Sequence, residues 1–180
     1  MDPTSSSDTS YVPPPPAPAS AKDQQALWKR IEDLRVAMLT TLDRDGTLSA
    51  RPVTTQRVEP DGTVWFFISA SGGIAADLAR NEHVNLCYMN VSDDIYVWLR
   101  GTGALVDDII KIKDLWSPMA AAWFPKGPED PNLGLLKVNV DRGDYWDVDS
   151  SKLVQFFSMA KSAITKSPPK DMGKHRQFET

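Results

Sequence analysis

Leu27, Ile31 and Leu34 recur at the three- and four-residue spacing of a single helix face, which predicts a helix over 21–34. The period then switches to that of strands. Met38-Leu39-Thr40-Thr41-Leu42 runs into Asp43-Arg44-Asp45-Gly46, a turn sequence whose glycine can take a positive backbone angle, and a long strand is predicted over 48–58. Glu59-Pro60-Asp61-Gly62 repeats the device before a strand over 64–68, so these strands form a meander. Ser71-Gly72-Gly73 opens a short helix over 75–80, after which strands resume at 84–89 and 95–106. Asp107 or Asp108 caps a helix reaching about residue 122, with Ile109, Ile112, Leu115 and Trp116 on one face. Late strands at 135–140 and 143–148 precede a final helix over 152–164. Antiparallel strands with only short helices between them predict a mainly β fold that closes, or nearly closes, into a barrel, because closure removes exposed edges. The absence of alternating βαβ units disfavours a doubly wound α/β sheet.

A chain of 180 residues with 41% apolar side chains suits one domain with a real core. Its ends differ in composition from its centre. Residues 1–21 are rich in Ser, Thr and Pro, with the run Pro13-Pro14-Pro15-Pro16, and are expected to form a disordered arm. The arm is either a plain tail or a proline-rich ligand for a partner protein. Residues 166–180 are expected to be a flexible tail, which leaves 22–165 as the folded domain.

Charge and reactive residues exclude several functions. A net charge of -4 and a pI near 5.1, with no cluster of Lys and Arg, argue against a nucleic-acid partner. Cys87 stands alone, so no intrachain disulfide forms, and His83 and His175 alone make no metal-ligand set. No apolar run approaches the roughly 18 to 20 residues of a membrane span, and no secretory signal is recognisable, so a cytoplasmic protein is expected. The pattern Asn90-Val91-Ser92 has no meaning as a glycosylation acceptor without export.

The stretch from Trp116 to Trp146 is unusual in another way. Trp116-Ser117-Pro118 is followed by Trp123-Phe124-Pro125-Lys126-Gly127-Pro128-Glu129-Asp130-Pro131 and later by Tyr145-Trp146. Proline fixes its own backbone angle and restricts its predecessor, so these prolines specify a rigid, shaped connection. Rigid aromatic loops wrap a planar cofactor, a partner subunit or their own core, and local sequence leaves the three open. P-loop, dinucleotide-fingerprint, metalloprotease and nucleophile-elbow patterns are absent, and neither Ser69 nor Ser71 has a histidine at a spacing that would make it a base.

What remains is an ordered series: Met38-Leu39-Thr40-Thr41, Asp45-Gly46, Ser49-Ala50-Arg51-Pro52-Val53, then Asp61-Gly62-Thr63-Val64-Trp65-Phe66-Phe67-Ile68-Ser69. Val84-Asn85-Leu86, Tyr96-Val97, Gly101-Thr102-Gly103 and the Trp-Phe-Pro segment complete it. As a set, running from about Leu27 to Trp146, this resembles the general-stress-protein branch of the pyridoxamine 5′-phosphate oxidase-like, FMN-binding split-barrel family. The resemblance implies a six-stranded antiparallel split β-barrel with short peripheral helices, a homodimer, and flavin held in the groove between two subunits.

Carried over by position, the resemblance assigns Arg51, Pro52 and Val53 to the strand bordering the flavin and Phe67, Ile68 and Ser69 to its neighbour. Trp116, Trp123 and Trp146 match aromatic positions, each with core or dimer packing as the competing reading. Arg51 also suits the role chemically, since its planar fork matches a phosphate and its charge persists at any working pH; its alternative is a surface ion pair. Tyr96, Trp98 and Trp123 are the expected anchors of the subunit interface.

One departure bears on affinity. Where many relatives carry a serine and, two positions later, a lysine directed at the phosphate, this chain has Gly72 and Ile74. Each lost charge-assisted contact would weaken phosphate binding by about 1 to 3 kcal/mol. Ser71-Gly72-Gly73 opens a helix, and its bare glycines leave backbone N–H groups that could cradle the anion instead, or a roomier site could accept FAD in place of FMN. Otherwise the flavin site has decayed and the barrel serves as an interaction module. The leading expectation is a flavin-binding protein with a redox role, followed by a non-enzymatic flavin carrier or sensor and by a flavin-free dimeric adaptor. True pyridoxamine 5′-phosphate oxidase activity is disfavoured: no Arg-rich pattern follows Trp146, and Asp147-Val148-Asp149 would repel a phosphorylated substrate.

Overall fold

The computed structural model describes residues 17–18, 20–147 and 174–179. Helix α1 (Ala21–Leu34) begins with a reciprocal cap, in which the Ser20 side chain accepts from the Asp23 amide while the Asp23 carboxylate accepts from the Ser20 amide. Its apolar face packs Leu27, Trp28 and Ile31 into the core. Strands β2 (Val36–Leu42), β3 (Leu48–Val58) and β4 (Thr63–Ser69) form the expected meander through the two glycine turns. Helix α2 (Gly73–Leu78) starts two residues earlier than expected, because Gly72 is its N-cap.

Strands β5 (His83–Asn90), β6 (Ile95–Val106) and β7 (Leu133–Asp147) complete a mainly β architecture. The order β7-β4-β3-β2-β5-β6 closes on itself through β6–β7 pairing, giving a six-stranded antiparallel barrel. Inside lie Leu39, Val53, Val64, Phe66, Leu86, Tyr88, Val97, Leu99, Leu136 and Val138. The Tyr88 hydroxyl shares a 2.8 Å hydrogen bond with Thr55 Oγ1 in this interior, and burial pushes its phenol above the ordinary value.

Three expected elements differ. The helix after Asp108 (α3, Ile109–Leu115) stops at Leu115 and does not reach residue 122; Trp116 is already extended, and Pro118 disfavours helical geometry at Ser117. A short 3-10 turn, Ala120–Ala122, follows separately. The two late strands are one. Strand β7 runs unbroken because Asp141 is accommodated as a bulge between the Gly101↔Val140 and Arg100↔Arg142 pairs. Strand β8 (Lys174–Glu179) pairs with the end of β7 and, in parallel, with β1 (Ala17–Pro18), so it lies inside the stretch read as a tail. The helix expected over 152–164 falls outside the described residues.

A second apolar cluster sits on the outer face of the barrel. It joins Trp65 and Phe67 of β4 and Leu135 of β7 to Ile112 and Leu115 of α3 and to Ala120 and Phe124 beyond it. Arg57–Asp114 and Lys111–Glu59 ion pairs fasten α3 at the same place. The aromatic connection from β6 to β7 is thereby clamped over β4.

Candidate flavin cavity

Between the outer face of β3–β4 and the clamped segment 117–124 lies a cavity of about 320 Å³. Alternation along β3 points Pro52, Thr54 and Gln56 outward into it while Val53 and Thr55 are buried. Gln56 is also the extra residue of a second bulge, between the Thr55↔Phe66 and Arg57↔Trp65 pairs, which sets it beside the cavity. Phe67, Ile68 and Ser69 of β4 and Ile74 of α2 form the adjoining wall, and Ser117, Met119, Ala120, Trp123 and Phe124 face them.

Seven of the twelve residues named from the sequence therefore line one cavity: Pro52, Val53, Phe67, Ile68, Ser69, Ile74 and Trp123. Phe67 anchors the aromatic wall, with the Phe124 ring edge-on at 6.4 Å and the Trp116 ring at 6.0 Å. Trp116 stands behind this wall, half-buried, and Trp123 at the rim is 78% exposed. The backbone of Trp146 pairs with Tyr96 on β6 and with His175 on β8.

Arg51 is not among the lining residues; it is fixed next to Gly73, the residue before Ile74 of the wall. Its guanidinium donates to Thr41 Oγ1 and to Asp77 Oδ2, both at 3.0 Å, and the Thr41 hydroxyl donates to the same carboxylate at 2.8 Å. Asp77 is 4% exposed, whereas a third of the Arg51 side chain meets solvent. The arrangement holds the fork in place from its buried side and leaves donors free to face outward. Gly73 is part of the same device: a Cβ there would come within 3.0 Å of Arg51 Nη2. Gly72 is equally confined, since a Cβ would meet Ser69 Cβ at 3.1 Å and the Ser69 carbonyl at 3.2 Å. A serine at 72 is thus sterically disfavoured, and Ile74 at the lysine position is 9% exposed and serves as wall.

Three groups went unnoticed in the sequence. Asn132 Oδ1 accepts from Ser69 Oγ at 2.9 Å and Ser71 Oγ at 2.8 Å, tying the start of β7 to the end of β4. Arg35 and Gln56 line the cavity without belonging to any recognisable motif. Among the described residues no group of three or more His, Cys, Asp or Glu could hold a metal, and no helix is long and apolar enough to cross a membrane.

In kind, the lining fits a flavin ring, with aromatic and aliphatic walls and the Ser69 hydroxyl; Ser71, joined to Ser69 through Asn132, and Arg51 lie outside the lining and are the nearby groups suited to an anionic end. The anionic end retains one guanidinium where the resemblance implied a second cation.

Comparisons with known proteins bear on the family and the fold. Residues 22–170 match the family described as Pyridoxamine 5′-phosphate oxidase like. A solved structure of the general stress FMN/FAD binding protein from Xanthomonas citri is 32% identical, with 73% of this chain and 92% of that chain covered at a TM-score of 0.63. A protein related to general stress protein 26, from Clostridium acetobutylicum, shares the fold at a TM-score of 0.64 and 18% identity, over 72% of this chain and 91% of that one. Protein bli-3 of Neurospora crassa is 26% identical over 182 residues, covering 91% of this chain and 87% of its own.

Proposed function

The chain belongs to the pyridoxamine 5′-phosphate oxidase-like family, in its general-stress-protein branch, and we propose that it binds FMN between two copies of itself and uses it in redox chemistry. The observation that carries this reading is the convergence of Pro52, Val53, Phe67, Ile68, Ser69, Ile74 and Trp123 on one cavity, with a buttressed Arg51 beside it. A bound flavin would supply hydride or single-electron transfer. The chain's part is to stack the ring against apolar walls, exclude water with segment 117–124, and hold the phosphate at Arg51 and the serine hydroxyls. FAD is the second candidate, because Gly72 and Ile74 leave the phosphate end less enclosed by polar groups.

A dimer is supported by the outer face of the sheet. Register aligns Pro52, Met38, Cys87 and Trp98 in one row across β3, β2, β5 and β6, with Val36, Met89 and Tyr96 beside it. Val36, Met38 and Met89 are 54%, 41% and 63% exposed, an apolar surface contiguous with the cavity through Pro52. Trp123 and the row's Trp98 would anchor such an interface.

Cys87 reports on this directly. Burial already raises its thiol, so little thiolate exists near neutrality, and alkylation by iodoacetamide is expected to be slow at pH 7 and to accelerate as pH rises. In a dimer it should slow further as protein concentration increases. Sedimentation of a monomer at all concentrations, with alkylation independent of concentration, would remove the between-subunits site.

Titration of the flavin-free full chain with FMN, FAD and riboflavin, followed by flavin fluorescence, tests the cofactor. FMN should bind more tightly than riboflavin. Binding of none of the three would favour the flavin-free adaptor reading, for which Ile74 in place of a cation is the supporting observation. Flavin uptake without turnover of any reductant would favour a carrier or sensor.

A further inference from the structure

Arg35, where α1 hands the chain to β2, has a backbone conformation that few side chains tolerate. At φ 58° and ψ -42° it lies outside the regions open to residues with a Cβ, and such positions are strained. Two hydrogen bonds hold it there: its N–H donates to the Ile31 carbonyl at 3.0 Å, and its carbonyl accepts from Thr55 N–H at 2.7 Å. Glycine would satisfy both with less strain. The position instead carries a long cationic side chain.

That side chain lines the cavity beside Thr54, Gln56 and Met119. Its hydrogen-bond contact is Met119 Sδ at 3.9 Å, a weak acceptor. Among the described residues no ion pair joins Arg35 to a carboxylate, whereas Arg51, Arg57, Lys111 and Lys113 each have one. The Arg51 guanidinium lies elsewhere. Leu39 is the residue opposite Arg51, so about 13 Å of strand separates the two positions at roughly 3.3 Å per residue, and Thr41 holds the Arg51 fork still farther along β2. The cavity lining thus carries one cation, Arg35, unpaired with any acid among the described residues, while Arg51 lies outside the lining and is anchored to its own chain.

We propose that Arg35 is the recognition point for a small planar anion, of the aromatic carboxylate class, that enters beside the cofactor as its reaction partner. This rests on the flavin reading above. Met119, Trp123 and Phe124 supply apolar walls for a flat ring, Thr54 and Gln56 supply hydrogen-bonding groups, and Arg35 supplies a fork that a carboxylate matches in two places. A reactant so held would have its charge at the end of the cavity remote from Arg51. The backbone strain at Arg35 is maintained by the fold for the sake of that charge.

The test uses the flavin-loaded full chain, titrated with benzoate and with its neutral counterpart benzamide, following the perturbation of flavin absorbance. Benzoate should bind about tenfold or more tightly than benzamide, in keeping with a charge-assisted bidentate contact. Arg35→Gln should erase that preference. Arg35→Gly should erase it too while raising Tm, since it relieves the backbone, and this separates loss of recognition from loss of fold. Equal binding of the two probes, binding of neither, or a preference that survives Arg35→Gln would overturn the proposal. So would a tenfold loss of FMN affinity in Arg35→Gln with riboflavin unchanged, which would make Arg35 an anchor of the cofactor phosphate. If the chain takes up no flavin, the cofactor reading fails on its own; the same titrations read by tryptophan fluorescence then decide the Arg35 site separately.

Discussion

Replacing Arg51 by alanine is expected to lower FMN affinity about 10- to 100-fold while changing riboflavin affinity about twofold or less, because the lost interaction is a charge-assisted hydrogen bond worth roughly 1.5 to 3 kcal/mol. Only one of the two ligands carries the phosphate. The variant also leaves Asp77 buried, but the Thr41 hydroxyl still donates to it at 2.8 Å, and Arg51 was partly solvated. The stability loss should be about 1 to 3 kcal/mol, because Asp77 loses its cation inside the fold but keeps the Thr41 hydrogen bond. Arg51→Lys should recover part of the FMN affinity, since it restores the charge without the fork. Isothermal titration with both ligands distinguishes the outcomes: parallel losses for FMN and riboflavin would show that Arg51 supports the wall and not the phosphate.

The second large effect is structural. Gly101 sits where β6 presses against the bulge of β7, and a Cβ there would lie 1.9 Å from the Asn139 carbonyl oxygen and 2.8 Å from its carbon. The obstacle is backbone inside the seam that closes the barrel, so no side-chain rotation relieves it. Gly101→Ala is expected to cost about 3 to 5 kcal/mol, or about 10 °C in Tm, and a larger residue should prevent folding. Gly46→Ala is the comparison. Its turn is open, with nothing within 4 Å of a Cβ, and only the positive φ of 77° opposes the change. A loss of about 1 kcal/mol is expected there. Thermal melts that moved equally for the two variants would contradict the close approach at the seam.

The order and type of most elements could be read directly, because each boundary is written in local chemistry. Asp45-Gly46 and Asp61-Gly62 mark the turns, and a two-residue alternation of buried positions with more exposed ones runs through Pro52–Thr55 of β3 and Val97–Gly103 of β6. What could not be read depends on partners distant in sequence. Asp141 interrupts the alternation of β7, and only pairing with β6 shows that it bulges without ending the strand. Trp116 has the spacing of a helix face, yet Pro118 two residues on stops the helix before it.

The site divides in the same manner. Pro52, Val53, Phe67, Ile68 and Ser69 were legible because they fall on adjacent strands within one motif series. The reason for Gly73 was not, since it lies in the space left for Arg51, a side chain 22 residues away in sequence. Asn132 and Arg35 carry no spacing signal at all; they act through a turn and a helix end that only the closed barrel brings to the cavity.

The connection between β6 and β7 supplies the outer wall of the cavity, and β7 is the strand that completes the barrel. During synthesis these two events are tied to a single moment. A nascent chain that has emerged only as far as residue 132 holds five of the six barrel strands and every residue of segment 117–124, with Trp65 and Phe67 to receive it, but lacks Leu135 and the β4–β7 and β6–β7 pairings that hold β4 in a closed barrel beneath it. Cofactor uptake by a ribosome-bound chain must wait for the last barrel strand, and an arrested chain ending before Leu133 should remain unable to retain flavin however long it is given.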